Sequence, residues 1–114
     1  PKFGNVYKFP GKKNPDAVGQ ETIDAIRAAE GPALRGFAGN PVAGNEHGDF
    51  YIVTGQEDIA EYDALLQARS DYRNGGYIEP QGTLSPVVMR NVTKEFLDRG
   101  WRALMEKAQP WIGS

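Results

Sequence analysis

The only histidine of the chain, His47, lies in the segment Glu46-His47-Gly48-Asp49, which has the clearest capacity for chemistry. Neighbouring carboxylates raise the pKa of an imidazole and can share a divalent cation with it. Metal and catalytic sites, however, normally combine residues from several segments, and this spacing is not an established ligand pattern. We therefore predict an exposed loop histidine. A small metal-dependent enzyme built on Glu46, His47 and Asp49 is kept as an alternative function.

Other forms of catalysis find little support in the sequence. The three serines, Ser70, Ser85 and Ser114, lack the strand-turn-helix context of a nucleophile elbow. The glycine-rich residues 31–48 contain neither the lysine nor the spacing of a phosphate-binding loop. The absence of cysteine excludes disulfides and zinc–thiolate sites. The sequence thus predicts a protein that is not an enzyme, with no catalytic residue, no metal site and no cofactor.

Residues 1–14 interleave lysines with aromatic residues and form a predicted basic arm. Lysines neutralise phosphates and aromatic rings stack on bases, so a nucleic-acid-associated protein is one interpretation. From Asp16 onward, however, nine of the thirteen basic residues stand against all fifteen acidic ones, a net charge of −6 that repels the same ligand. We favour a protein partner instead. The predicted partner-binding residues are Lys2, Phe3, Tyr7, Lys8, Phe9, Lys12 and Lys13.

Charge is segregated along the chain, although the net charge is only −2. Residues 1–15 carry four lysines and no acid, whereas residues 36–68 carry acids and no lysine or arginine. Such blocks are either solvated faces or surfaces that complement each other or an anionic partner. The aromatic residues of the arm have few sequence neighbours to bury them, so we expect a partner to cover them. A contact between the arm and the acidic segment of another copy would be head-to-tail, which produces rings or filaments.

A strand followed by a helix is the strongest structural signal. Residues 50–53 are all β-branched or aromatic, as in a short buried strand. Residues 54–57 match a capping box, which predicts a helix from near Gly55 to Asn74. Apolar residues recur along this helix at helical spacing. We expect Leu66, together with Phe96 and Leu104 from a later helix, to be among the most buried side chains.

The remaining elements are predicted from caps and breakers. Asn14 and Pro15 begin a helix that Gly31 and Pro32 end. Residues 33–48 then form a long glycine-rich loop. Residues 6–9 fit either a short edge strand or an extended arm, and residues 77–79 fit a second strand.

A final helix is predicted over residues 86–108, ended by Pro110 and followed by a short apolar tail. Gly100 costs this helix about 1 kcal/mol relative to alanine unless close packing requires it.

These elements predict an α+β fold in which three helices pack on a very small sheet, with an extended N-terminal arm and a long Gly-rich loop. The arm spans residues 1–14 and a single small domain spans residues 15–114. No apolar run is long enough to cross a bilayer, and the N-terminus lacks a signal-type apolar stretch. We therefore expect a soluble protein without a membrane partner, located in the cytoplasm or in a virion.

Residues 79–83 and 86–90, which lead toward Trp101, resemble the ending of small tailed-phage neck and tail-completion proteins. In those proteins a glutamate, a Gly-Thr pair and a proline-aromatic-arginine segment precede the last helix, and the similarity covers roughly thirty residues. The Arg-Pro-Phe core of that pattern has no counterpart here. The resemblance implies a phage virion assembly component. The sequence as a whole predicts a non-catalytic structural or protein-interaction module that assembles with copies of itself or with a larger complex.

Overall fold

The structure is a computed structural model, and it describes residues 5–39, 48–73 and 94–113. Within these ranges the chain forms four helices and a four-stranded mixed sheet, which confirms the predicted α+β class with a small sheet. None of the described helices combines the length and apolar composition that crossing a membrane requires. The elements are, in chain order, β1 (Val6–Pro10), α1 (Pro15–Val18), α2 (Gln20–Glu30), β2 (Arg35–Ala38), β3 (Asp49–Val53), α3 (Gln56–Arg73), α4 (Lys94–Glu106) and β4 (Ala108–Pro110).

The sheet is built around β3, the strand that the apolar residues 50–53 predict. The strand order is β2-β3-β1-β4, with β3 antiparallel to both of its neighbours and β4 parallel to β1. All four of the predicted strand residues are buried. Because side chains alternate along a strand, Tyr51 and Val53 point to one face of the sheet while Phe50 and Ile52 point to the other. Both faces are therefore covered.

Helices cover the two faces unequally. On the first face, α3 and α4 pack Leu65 and Leu104 against the side chains of Val6, Tyr51 and Val53. The second face is covered by a smaller cluster of residues from the sheet, α2 and the segments that flank them. Its members are Ile26, Phe50 and Ile52, with Phe9, Val18, Ile23, Leu34 and Trp111 packed around them. The result is three layers with the sheet in the middle.

The first predicted helix is divided in two. Asn14 caps it as predicted, because its side-chain oxygen accepts a hydrogen bond from the Ala17 N–H at 2.8 Å, and Pro15 occupies the first helical position. The helix breaks at Gly19, whose φ of 99° is incompatible with an α-helix and leaves α1 separate from α2. The prediction of one continuous helix from Asn14 to Gly31 is therefore wrong. Gly31 ends α2, as predicted.

Residues 6–10 and 35–38 each form a short strand. Residues 6–10 form β1, which confirms the strand alternative for this segment; because β1 lies inside the sheet between β3 and β4, the edge position and the extended arm are wrong for these residues. Similarly, Arg35–Ala38 forms β2 inside the segment predicted to be a loop. Both strands are stabilised by backbone pairing with β3, which local composition does not show.

The end of the chain also differs from its prediction. Helix α4 ends at Glu106 instead of Ala108, because residues 108–110 turn back into the sheet as β4. Leu104 is 2% exposed, as predicted, and Phe96 is half-buried, but Leu66 is 43% exposed and its predicted burial is wrong. The adjacent Leu65 takes the core position instead.

Helix α3 begins at Gln56, within a residue of the predicted start, and the carbonyl of Gly55 accepts its first helical hydrogen bond from Ile59. Several predicted features lie outside the described residues: His47 and its loop, the strand at residues 77–79, the beginning of the last helix, and the segment that resembles the phage proteins.

Candidate functional site

The predicted partner-binding segment divides between the two faces of the sheet. Lys8 lies on the face covered by α3 and α4, whereas Tyr7 and Phe9 lie on the opposite face, because side chains alternate along β1. Tyr7 is buried, Phe9 is half-buried, and the Nζ atom of Lys8 lies 3.4 Å from Oδ2 of Asp49. The aromatic rings therefore do not share a surface with this lysine. Lys2 and Phe3 lie outside the described residues.

Directly after β1, a tight turn presents two lysines. The N–H of Lys12 donates to the carbonyl of Phe9 at 3.1 Å, with Pro10 and Gly11 between them. Gly11 has a φ of 75°, so this turn has the positive-φ glycine that a type II turn requires, preceded by the proline that such turns commonly carry. The Gly11 N–H donates to Oδ1 of Asp49 at 3.0 Å. Backbone and side-chain bonds thus hold the turn to the sheet.

Lys12, which closes the turn, and Lys13, which follows it, are both exposed. The cap of α1 at Asn14 holds the chain on their other side. In the described part of the chain, neither lysine makes an ion pair. We call residues 9–13 the basic turn. Among the described residues of the predicted partner-binding segment, it carries the two lysines that make no ion pair there.

Asp49 has a structural role in this arrangement. Its carboxylate contacts the Gly11 N–H through one oxygen and the Lys8 ammonium through the other. Its side chain is only 12% exposed. Of the possible metal ligands, Glu46 and His47 lie outside the described residues, and within the described ranges no three acidic or histidine side chains form a group that could hold a metal ion.

The acidic segment is partly neutralised within the chain. In addition to the contact between Lys8 and Asp49, Lys107 pairs with Asp58 at 2.6 Å and Arg35 pairs with Asp63 at 3.1 Å. These partners come from other elements, which is why the block looks unpaired in sequence.

Two carboxylates of the acidic segment, those of Glu57 and Glu61, are exposed on the first turns of α3 and make no ion pair with any described residue. We call Glu57 and Glu61 the acidic patch.

A polar cluster on the second face of the sheet was not predicted. The Glu30 carboxylate accepts hydrogen bonds from the Asn5 side-chain amide at 2.9 Å and from the Tyr7 hydroxyl at 2.8 Å. The Trp111 ring packs edge-on against Tyr7, with 5.0 Å between ring centroids. Burial, reinforced by the hydrogen bond to Glu30 and its charge, raises the pKa of Tyr7 to about 12. The cluster therefore joins the end of α2 to β1 and keeps the tyrosine neutral.

An aromatic cluster on the first face is likewise absent from the sequence prediction. Phe37 stacks on Tyr51 with 4.9 Å between centroids, and Trp101 lies 5.1 Å from Phe37. Burial raises the pKa of Tyr51, an effect that Lys8 opposes and Asp49 reinforces. The four residues Arg35–Ala38 show no apolar alternation in sequence, and only their burial alternates, so no local pattern predicts this strand or its cluster.

Comparisons with protein-family models, with curated proteins and with solved structures find no match for this chain. The candidate surfaces are accordingly those that the geometry itself singles out: the basic turn, the acidic patch and the edges of the sheet. Trp101, which follows the segment that resembles the phage proteins, belongs to α4 and is half-buried against the core cluster of Leu65 and Leu104.

Proposed function

We propose that this protein is a non-catalytic interaction module that assembles with copies of itself or with a larger complex. The basic turn carries the proposal. It places Lys12 and Lys13 side by side on a connection held by hydrogen bonds at both ends. Two adjacent exposed ammonium groups without an ion pair in the described chain favour an anionic partner surface. Because the turn is held in place, little conformational entropy is lost when it binds.

The acidic patch of a second copy of the chain is a suitable partner surface for the basic turn. Glu57 and Glu61 are four residues apart and therefore neighbours on one side of α3. Each copy then carries one basic and one acidic surface, and a contact between them joins different patches of two copies. Such a contact is head-to-tail and produces a ring or a filament.

A protein partner is better supported than nucleic acid. Nucleic-acid binding surfaces of the predicted type combine lysines with stacking aromatic rings. Here Tyr7 is buried, Phe9 is half-buried, and both lie on the opposite face of the sheet from Lys8. The proposal extends to a virion component, on the strength of the resemblance of residues 79–90 to tail-completion proteins. Under that extension the protein would act in the cytoplasm during assembly or in the finished particle.

Charge reversal tests the proposal. Lys12→Glu/Lys13→Glu should weaken self-association, and so should Glu57→Lys/Glu61→Lys, because each variant places like charges in the contact. A mixture of the two variants should associate again, since the reversed turn of one complements the reversed patch of the other. Exposed ion pairs contribute about 0.2–1 kcal/mol each, so two pairs contribute at most about 2 kcal/mol and should change the affinity by up to about thirtyfold.

Light scattering at about 100 μM and low ionic strength is the appropriate measurement, because weak micromolar contacts are populated there. Arg99→Glu/Arg102→Glu is the matched control, since it makes the same charge change on exposed residues of α4. If the mixture scatters no more than its separate components, the head-to-tail contact is disproved.

A further inference from the structure

The register of the sheet determines which backbone groups face its open edges. The Thr54 N–H donates to the Asn5 carbonyl at 2.9 Å, and the Gly39 N–H donates to the Asp49 carbonyl at 2.8 Å. In antiparallel pairs, hydrogen-bonded and non-hydrogen-bonded positions alternate. The even-numbered residues of β3 therefore bond to β1 and the odd-numbered ones to β2. It follows that Gly36 and Ala38 direct their N–H and C=O groups away from β3, toward the outer edge of β2.

The opposite edge of the sheet is blunted by proline. Since the odd-numbered residues of β1 bond to β3, the backbone N–H and C=O groups of Val6 and Lys8 point toward β4. Parallel pairing in the observed register then directs the backbone groups of Gln109 toward β1 and leaves those of Ala108 and Pro110 pointing outward. Pro110 has no N–H, so Ala108 supplies the only outward backbone donor of β4. Proline at such a position protects an edge from further pairing.

The edge of β2 lacks protection of this kind in the described part of the chain. Gly36 and Ala38 are exposed, and neither has a bulky or charged side chain. The one charged side chain of the strand, Arg35, is held by Asp63. The Tyr62 hydroxyl donates to the Gly36 carbonyl at 3.0 Å, which still leaves that oxygen a second lone pair.

We propose that β2 pairs with β2 of a second copy, antiparallel, about a two-fold axis at Phe37. In this register Gly36 lies opposite Ala38 of the second copy, and Ala38 lies opposite Gly36. Each of these two pairs exchanges two hydrogen bonds, so every outward N–H of Gly36 and Ala38 finds an outward carbonyl. The inference rests on the proposed function in that the partner is another copy of this chain.

The strand is complementary to a second copy of itself. Because the axis passes through Phe37, the outward-facing Gly36 of one copy lies opposite the outward-facing Ala38 of the other, so one sequence supplies both sides of the ladder. The two Phe37 residues would face each other as a non-hydrogen-bonded pair, with Cα atoms about 4.5 Å apart. The stack of Phe37 on Tyr51 would then continue across the axis into the second copy. The resulting contact is isologous and distinct from the contact between the basic turn and the acidic patch.

A proline at position 38 tests the pairing with little effect on the rest of the sheet. Ala38→Pro removes an N–H that points outward, so the ladder between β2 and β3 keeps its hydrogen bonds. Ala38→Val is the matched control, because it adds similar bulk and retains the N–H. Gly36 is unsuitable, since a Cβ there would meet the Phe50 ring at 2.6 Å. In sedimentation equilibrium, we expect the parent and Ala38→Val to dimerise and Ala38→Pro to bind at least about tenfold more weakly, because two hydrogen bonds are lost.

Hydrogen exchange supplies a second measurement that does not depend on the proline variant. The amides of Gly36 and Ala38 should gain protection as the concentration of the parent rises, whereas the Phe37 amide, bonded to β3, should be protected throughout. Lys12→Glu/Lys13→Glu should leave this protection unchanged, so failure of the head-to-tail contact can be separated from failure of this one. A parent that is monomeric at about 500 μM, dimerisation of Ala38→Pro equal to that of Ala38→Val, or protection independent of concentration would each overturn the proposal.

Discussion

Replacement of Gly100 by alanine sets two opposing effects against each other in α4. In an exposed helix interior the change stabilises by about 1 kcal/mol, because glycine has the greater backbone freedom in the unfolded chain. At Gly100, however, an added Cβ would overlap Cδ2 of Leu65 and lie 3.2 Å from Cδ1. Favourable carbon contacts are about 3.5–4.0 Å. Leu65 is 2% exposed, so its side chain has little room to move away.

The structure sets the size of the expected effect. Overpacking of this kind costs about 1–3 kcal/mol, from which the gain of about 1 kcal/mol in helix propensity is subtracted. Gly100→Ala should therefore lower the free energy of unfolding by up to about 2 kcal/mol. Leu65→Ala alone should cost about 2–5 kcal/mol, because it leaves a cavity where α3 and α4 meet the sheet. In that background the new methyl group has space, and Gly100→Ala should become stabilising.

Urea unfolding of the four proteins in this double-mutant cycle measures the coupling, which should be about 1–3 kcal/mol. Ala103→Gly provides the matched control, since Ala103 is an exposed residue of the same helix and reports propensity without packing. It should cost about 1 kcal/mol. If Gly100→Ala stabilises the parent by as much as Ala103→Gly destabilises it, or has the same effect in both backgrounds, Gly100 is not required by contact with Leu65.

Two further predictions concern buried polar groups. Lys107→Ala should lower the free energy of unfolding by about 1–3 kcal/mol, because it leaves the Asp58 carboxylate, 6% exposed, without its cation. Adding Asp58→Asn should recover part of this loss in urea titrations, since an amide is less costly to bury than a charge. A double variant with a lower free energy of unfolding than Lys107→Ala would contradict this. Tyr7→Phe should cost about 1–2 kcal/mol at neutral pH through the lost bond to Glu30. Because the folded pKa of Tyr7 is raised to about 12, this stabilisation is present below about pH 10 and is lost as pH rises toward 12. The free energies of unfolding of the parent and of Tyr7→Phe should converge as pH approaches 12. A difference that stays constant with pH would refute the role of this hydrogen bond.

Elements specified by adjacent residues were predicted correctly. The apolar residues 50–53 form β3, the helix after Thr54 begins within a residue of its predicted start, and Asn14 caps α1 through its own side chain. In each case the signal lies in residues within a few positions of one another, although β3 itself is stabilised by pairing with the distant strands β1 and β2. The same holds for the end of α2 at Gly31. Such local signals require no knowledge of the rest of the fold.

The choice between Leu65 and Leu66 shows where local signals end. Both are apolar, and both fit a helical stripe drawn from sequence alone. Neighbouring residues differ by about 100° around a helix, so only one can face the core directly. The position of the sheet and of Gly100 on α4 selects Leu65.

The candidate surfaces depend even more on tertiary structure. The sequence by itself determined an α+β chain, its central strand, its main helix starts and its segregated charge. Only the tertiary structure decided that residues 6–10 lie inside the sheet, that Lys107 neutralises Asp58 across 49 positions, and that β2 is an edge strand. β1, β2 and β4 have too little local pattern to identify themselves: β1 and β2 form because β3 supplies partners for their backbone groups, and β4 forms because β1 does. The pairing of these strands also determines which lysines and carboxylates remain exposed and unpaired in the described chain.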